Sequence, residues 1–139
     1  MALFGRFLDA EVTVNSVDLS SFVRSVTLDV NNEILDATAM GDTTRVKISG
    51  MKDWSASVEF YQSYYTAEVD QTLWPLNDAG TAFTLTIMPN KTDGISTENP
   101  KYTGTVILPT YQPIAGAHND VLASTVSFES NGDLTRTTA

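Results

Sequence analysis

The side chains able to do acid–base, nucleophilic or metal chemistry are few in these 139 residues, and they are scattered. Cys is absent and His118 is the sole histidine. Without thiols there is no disulfide, thiolate zinc site or Cys nucleophile, and one imidazole is too few for a multi-His metal centre. His118 lies in Ala115-Gly-Ala-His-Asn-Asp120, where Asp120 would orient it as a base. The same run reads more simply as a solvent-facing loop. HExxH, GxSxG and GxxxxGK[ST] do not occur. Asp42, Asp53 and Asp93 fall in loop-like segments without calcium-loop spacing. No two carboxylates have the setting of a glycosidase couple. The pattern argues against an enzyme and calls for no cofactor and no metal. Tyr61, Tyr64, Tyr65 and Trp74 cluster where a strand meets a helix. Such a group stacks on a sugar or packs helix onto sheet, and the packing role is the expectation.

Charge narrows the partners. Lys and Arg number 8 against 17 Asp and Glu, a formal charge of −9. Gripping nucleic acid or an anionic membrane needs clustered cations, so this chain suits neither. Charged residues make up 18%, below the usual quarter, and hydroxyls take their place. Long charged side chains keep free molecules apart, so their scarcity hints at extensive self-contact. The start, Met1-Ala-Leu-Phe-Gly-Arg-Phe-Leu8, has too short an apolar run for a secretory signal, and no stretch reaches the length of a membrane span. A soluble chain, not addressed for export, is expected.

The elements that would position these groups are mostly strands. The chain holds 12 Val, 6 Ile and 19 Thr, which favour pleated, half-buried surfaces. Alternation predicts strands over 11–14, 22–31, 54–62, 81–88, 101–108 and 122–129. Asn31-Asn32 reads as a tight turn, with a return strand begun by 33–36. Residues 36–53 read as a long mixed-charge excursion, and long loops inside compact domains are usually functional. One helix follows Thr66, a plausible N-cap, with Val69, Leu73 and Leu76 as its apolar stripe and Glu68 and Asp70 in its first turn. Pro75 weakens its end and Asn77-Asp-Ala-Gly80 stops it. Residues 130–139 read as a polar tail. The sum is a mainly β domain of about seven strands, a β-sandwich or half-barrel with one flanking helix. Two strand faces, Ser25/Thr27/Asp29 and Ser55/Ser57/Glu59, carry hydroxyls and carboxylates with no Lys or Arg between them.

The order of these features resembles the major tail tube proteins of long-tailed, non-contractile bacteriophages. The residues that carry the resemblance are Trp54-Ser-Ala-Ser-Val-Glu-Phe60 after the charged excursion, Asn99-Pro-Lys-Tyr-Thr-Gly-Thr-Val106, and the ending Asp120-Val-Leu-Ala-Ser-Thr-Val-Ser-Phe-Glu-Ser-Asn-Gly-Asp-Leu-Thr-Arg136. Tube proteins of contractile tails and type VI secretion share the fold and match less well. The resemblance implies one domain over 1–139, six copies to a ring, and rings stacked into a hollow homo-oligomeric tube. Neighbouring strands would join into a continuous barrel lining the bore, which removes exposed edges. Viral DNA would pass through without specific binding, and the chain would not insert in a membrane. Tape-measure, tail-tip and tail-terminator proteins would be partners, in the virion tail and, during assembly, in the host cytoplasm.

Residue by residue, Ser25, Thr27, Asp29, Ser55, Ser57 and Glu59 would line the bore. Asp36, Met40, Asp42, Arg45, Lys47, Met51, Lys52 and Asp53 would form a loop reaching the next ring, ordered only at that contact. An N-terminal arm, 1–10, and the tail 130–139 would add contacts. The rival function is a β-sandwich binding module, such as a tail-tip, decoration or adhesin domain, with the Tyr and Trp cluster as its feature.

Overall fold

The computed structural model describes residues 10–90, 94–97 and 99–138. Seven strands and one helix follow in the order β1 (Glu11–Val14), β2 (Val17–Asp18), β3 (Val23–Asp36), β4 (Lys47–Tyr61), α1 (Val69–Ala79), β5 (Phe83–Met88), β6 (Lys101–Thr110) and β7 (Ala123–Thr137). They form a single antiparallel sheet of order β2-β1-β5-β6-β7-β4-β3. The half-barrel form of the expected fold is therefore the one adopted, with one sheet in place of a two-sheet sandwich.

The sheet has to curl. Its first and last strands stand six spacings apart, about 29 Å if flat at ~4.8 Å each. Only residues 19–22 join β2 to β3, a stretch that reaches at most ~18 Å. Bending the sheet brings its edges within that reach and wraps one face around a core. That face supplies Val12 and Val14 from β1, Trp54, Ala56, Val58 and Phe60 from β4, Phe83, Leu85 and Ile87 from β5, Val106 and Leu108 from β6, and Val126 and Phe128 from β7. The rings of Phe83 and Phe128 meet edge to face, centroids 5.9 Å apart. The helix closes the core with Val69, Leu73 and Leu76, the stripe its 3.6 periodicity predicts.

Helix α1 starts later than expected. Glu68, not Thr66, holds the N-cap position, and no side chain caps it. Ala67 takes a φ of 61°, which breaks the helical path ahead of Glu68. Gly80 ends the helix in the left-handed region at φ 65°, its N–H donating to the Leu76 carbonyl at 3.2 Å.

Two segments differ from the sequence expectation. Asn31-Asn32 is not a turn. β3 runs straight through it to Asp36, and Lys47–Asp53 belongs to β4. Asp36 and Lys47–Asp53 of the excursion 36–53 are thus strand, and 37–46 is its tip. Residue 130 does not begin a tail either. β7 continues to Thr137, pairing Leu134 with Gly104 and Thr137 with Lys101. Asn131-Gly-Asp133 forms a bulge, three residues set opposite Thr105. The proposed N-terminal arm, except Ala10, lies outside the described residues, as does Asp93.

Candidate functional site

The antiparallel register gives the molecule two distinct ends. With β4 running downward from Lys47 to Tyr61, the upper end carries the β3–β4 tip. The lower end carries the connections 62–68 and 111–122, which follow β4 and precede β7. Three surfaces follow: the outer face of the sheet, the upper arm and the lower end.

On the outer face the register brings the six predicted bore residues together. Ser25 stands opposite Glu59, Thr27 opposite Ser57 and Asp29 opposite Ser55. On the other side of β4, Thr125, Ser127 and Glu129 of β7 pair with Glu59, Ser57 and Ser55. The sequence pattern missed the β7 contribution, although its Thr125/Ser127/Glu129 alternation against Val126 and Phe128 carried the signal. The face is not free of cations. A bulge between Val23 and Ser25 places Arg24 where its guanidinium pairs with Glu59 at 3.0 Å. Both partners reach solvent, so the pair adds little stability, but it takes Glu59 out of the set of free carboxylates. Asp29 and Glu129 carry that charge.

The arm is a two-stranded ribbon. β7 pairs with β4 only from Ser55 to Tyr61, so the upper halves of β3 and β4 leave the sheet with no third strand. Every residue from 29 to 49 is exposed. Its tip is hydrogen-bonded within the chain. The Ala37 N–H donates to the Val46 carbonyl at 2.8 Å, and the Val46 N–H donates to the Thr38 hydroxyl at 2.8 Å. Asp36 accepts from the Thr38 N–H at 2.9 Å and pairs with Arg45 at 3.0 Å. Bonds from Thr38, side chain and backbone, and then from Arg45 hold the Asp36 carboxyl below its ordinary range. Asp42 accepts from the Ala39 N–H at 2.7 Å, and Asp53 accepts from the Ser130 hydroxyl at 2.8 Å. Lys47 stands opposite Asp36 and Lys52 opposite Asn32. Met40 is fully exposed and Met51 is 80% exposed.

At the lower end the aromatic cluster does not pack helix onto sheet. Tyr61, Tyr64, Tyr65 and Trp74 are all exposed, because the helix buries its aliphatic stripe instead. The packing aromatic is Tyr111, which the sequence did not single out. Its hydroxyl donates to Asp70 at 2.9 Å and accepts from Gln62 at 2.9 Å, and burial pushes the phenol well above its ordinary range. Gln62 also donates to the Pro113 carbonyl at 2.7 Å, as does the Tyr64 hydroxyl at 2.7 Å. The Gln62 N–H donates to the Leu122 carbonyl at 2.8 Å. This network ties helix, 62–68 and 111–122 together and holds open a cleft of about 460 Å³ lined by Gln62, Ser63, Tyr64, Tyr65 and Leu122. His118 and Asp120 are exposed, with no hydrogen bond between them. Among the described residues no group of three or more His, Cys, Asp or Glu is placed to hold a metal. No described helix is long and apolar enough to cross a membrane.

No family model matches the chain, and no curated protein sequence matches it. Solved structures do. A chain in the tail of an empty gene transfer agent particle, refined with C6 symmetry, superposes with a TM-score of 0.75 at 17% identity, covering 98% of this chain and 99% of that one. The SPP1 tail tube gives 0.73 at 9% identity, over 94% of this chain and 77% of that one. Hcp1 from Flavobacterium johnsoniae gives 0.58 at 17% identity, over 94% and 95%. The fold of this chain is that of the tail tube and Hcp proteins.

Proposed function

We propose that this chain is the structural subunit of a phage-type tail tube, and that it acts by assembly. The observation that carries the reading is a fold shared, end to end, with a chain from a C6-symmetric tail. That symmetry is the ground for six copies to a ring. Two features of the chain itself support it. β3 is the last strand of an open sheet and offers a long unpaired edge, which a neighbour's strand would cover. The face built from β3, β4 and β7 carries hydroxyls and carboxylates and suits a bore that must not hold DNA.

Double-stranded DNA carries one charge per ~1.7 Å of its axis. A bore lined by Lys or Arg would grip phosphates along its whole length. Asp29 and Glu129 repel them, the neutral Ser and Thr hydroxyls offer no cation to hold them, and the duplex slides. Rings stacked head to tail leave an open polymer, so the ends need separate partners: a terminator, a tip and, inside during assembly, a tape-measure protein. The product would be part of the virion tail, assembled in the host cytoplasm.

Electron microscopy of the concentrated purified protein tests this. Hollow tubes of constant diameter and fixed axial repeat are expected. Dispersed single particles at every concentration would overturn the reading and favour a monomeric binding module.

A further inference from the structure

Asn131-Gly132 is the only Asn-Gly pair in the sequence; every other asparagine precedes Ser, Asn, Glu, Asp, Lys or Pro. The pair sits in the β7 bulge, where Asn131, Gly132 and Asp133 stand against Thr105 alone, between the paired residues Ser130–Val106 and Leu134–Gly104. All three are exposed. Gly132 has a φ of 145°, a conformation that L side chains rarely adopt, so the bulge calls for glycine there. The fold thus sets, directly after an exposed asparagine, the one residue type with no Cβ to shield its backbone nitrogen.

We propose that Asn131 is a site of spontaneous modification, deamidating by ring closure onto Gly132. The Gly132 backbone nitrogen attacks Cγ of Asn131. A bond forms between them, the Cγ–Nδ2 bond breaks, and Nδ2 leaves as ammonia with the proton that the Gly132 nitrogen gives up. Water then opens the cyclic imide. Opening at the Cγ carbonyl yields aspartate. Opening at the main-chain carbonyl yields isoaspartate, whose backbone runs through the former side chain. Water is the only co-reactant. The inference concerns the single chain and stands apart from the tail tube reading.

The bulge accommodates the product as well as the reaction. Isoaspartate lengthens the main chain by a methylene. In a regular ladder that extra atom would disturb the register on which both faces depend. Here the three residues already stand outside one-to-one pairing, and the added length joins slack that the fold contains. Both ends of the slack are held. The Ser130 hydroxyl donates to Asp53 at 2.8 Å, and the Gly132 carbonyl accepts from the Trp54 indole at 2.9 Å. Each converted chain gains a carboxylate at a position flanked in sequence by Glu129 and Asp133.

Peptide mass mapping of the purified chain, incubated in mildly alkaline buffer, tests this. The peptide carrying residue 131 is expected to exchange ammonia for water roughly ten times faster than any peptide carrying another asparagine, because only Asn131 precedes a residue without a Cβ. The same peptide is expected to become a substrate for an isoaspartyl methyltransferase. Asp93-Gly94, the chain's Asp-Gly pair, would isomerise with no change of mass, so the mass tells the two apart. The folded chain is expected to convert at no less than about a third of its rate in urea, since the pair lies outside the ladder. Asn131→Gln, an exposed change, is expected to abolish the ammonia loss from this peptide and leave the unfolding midpoint unchanged. A folded chain that converts more slowly than that limit, or in which another asparagine converts as fast, overturns the proposal.

Discussion

Trp54 is the residue on which the junction of sheet and arm turns. It is the last core residue of β4 before the ribbon departs, and only 4% of its surface is exposed. Its indole N–H donates to the Gly132 carbonyl at 2.9 Å, inside the β7 bulge. Its ring lies over Gly104 of β6, where a Cβ would stand inside the indole's van der Waals envelope. The glycine is there for room, since this close approach leaves no space for a methyl group. Gly104→Ala is expected to destabilise the fold by about 1–3 kcal/mol through overpacking, read as a lower midpoint in denaturant unfolding. An unchanged midpoint would mean the ring has somewhere else to go. The inward side of Trp54 was legible from its alternation with Ala56, Val58 and Phe60. Its glycine partner was not, because β7 stands between their two strands and only the tertiary fold brings the ring over it.

At the scale of the element, the arm carries the most consequence. An isolated two-stranded ribbon is marginal in water, so this one depends on its root at Trp54 and on the bonded tip around Asp36, Thr38 and Val46. A bulge sets Gly50 and Met51 against Glu33 and leaves no space beside Gly50, where a Cβ would press on the Glu33 side chain. Asn31-Asn32 reads as a tight turn in the sequence, yet it lies inside β3. The local composition carries turn chemistry, and the long-range ladder between β3 and β4 overrides it. Lys47→Glu with Lys52→Glu is expected to leave the circular dichroism spectrum unchanged while cutting tube yield at least tenfold by microscopy, with rings or monomers remaining. Tubes at wild-type yield would show that the arm's charge plays no part in stacking.

For the whole molecule, the proposed tube would have the outer face lining its bore. Asp29 and Glu129 are its unpaired carboxylates on β3 and β7, while Glu59 is matched by Arg24. Asp29→Lys with Glu129→Lys changes each subunit by four charges, repeated around every ring. Tubes of this variant are expected to retain double-stranded DNA in co-sedimentation at low salt and release it as salt rises, whereas wild-type tubes retain none. Equal behaviour of the two would remove this face from the bore.

The sequence by itself determined what local patterns can encode. Period-two alternation fixed which side of each strand is apolar, and period 3.6 fixed the helix stripe Val69, Leu73 and Leu76. The acidic balance, the lack of thiols and the single histidine set the chemistry. Strand order, the curl of the sheet, the extension of β7 past residue 130 and the length of the arm were decided only by the tertiary structure. Each depends on hydrogen bonds between segments far apart in the chain, and no residue's own neighbours specify them. The same holds for the two ends: only the register that sets β4 against β3 and β7 puts the arm at one end and the tyrosine cleft at the other.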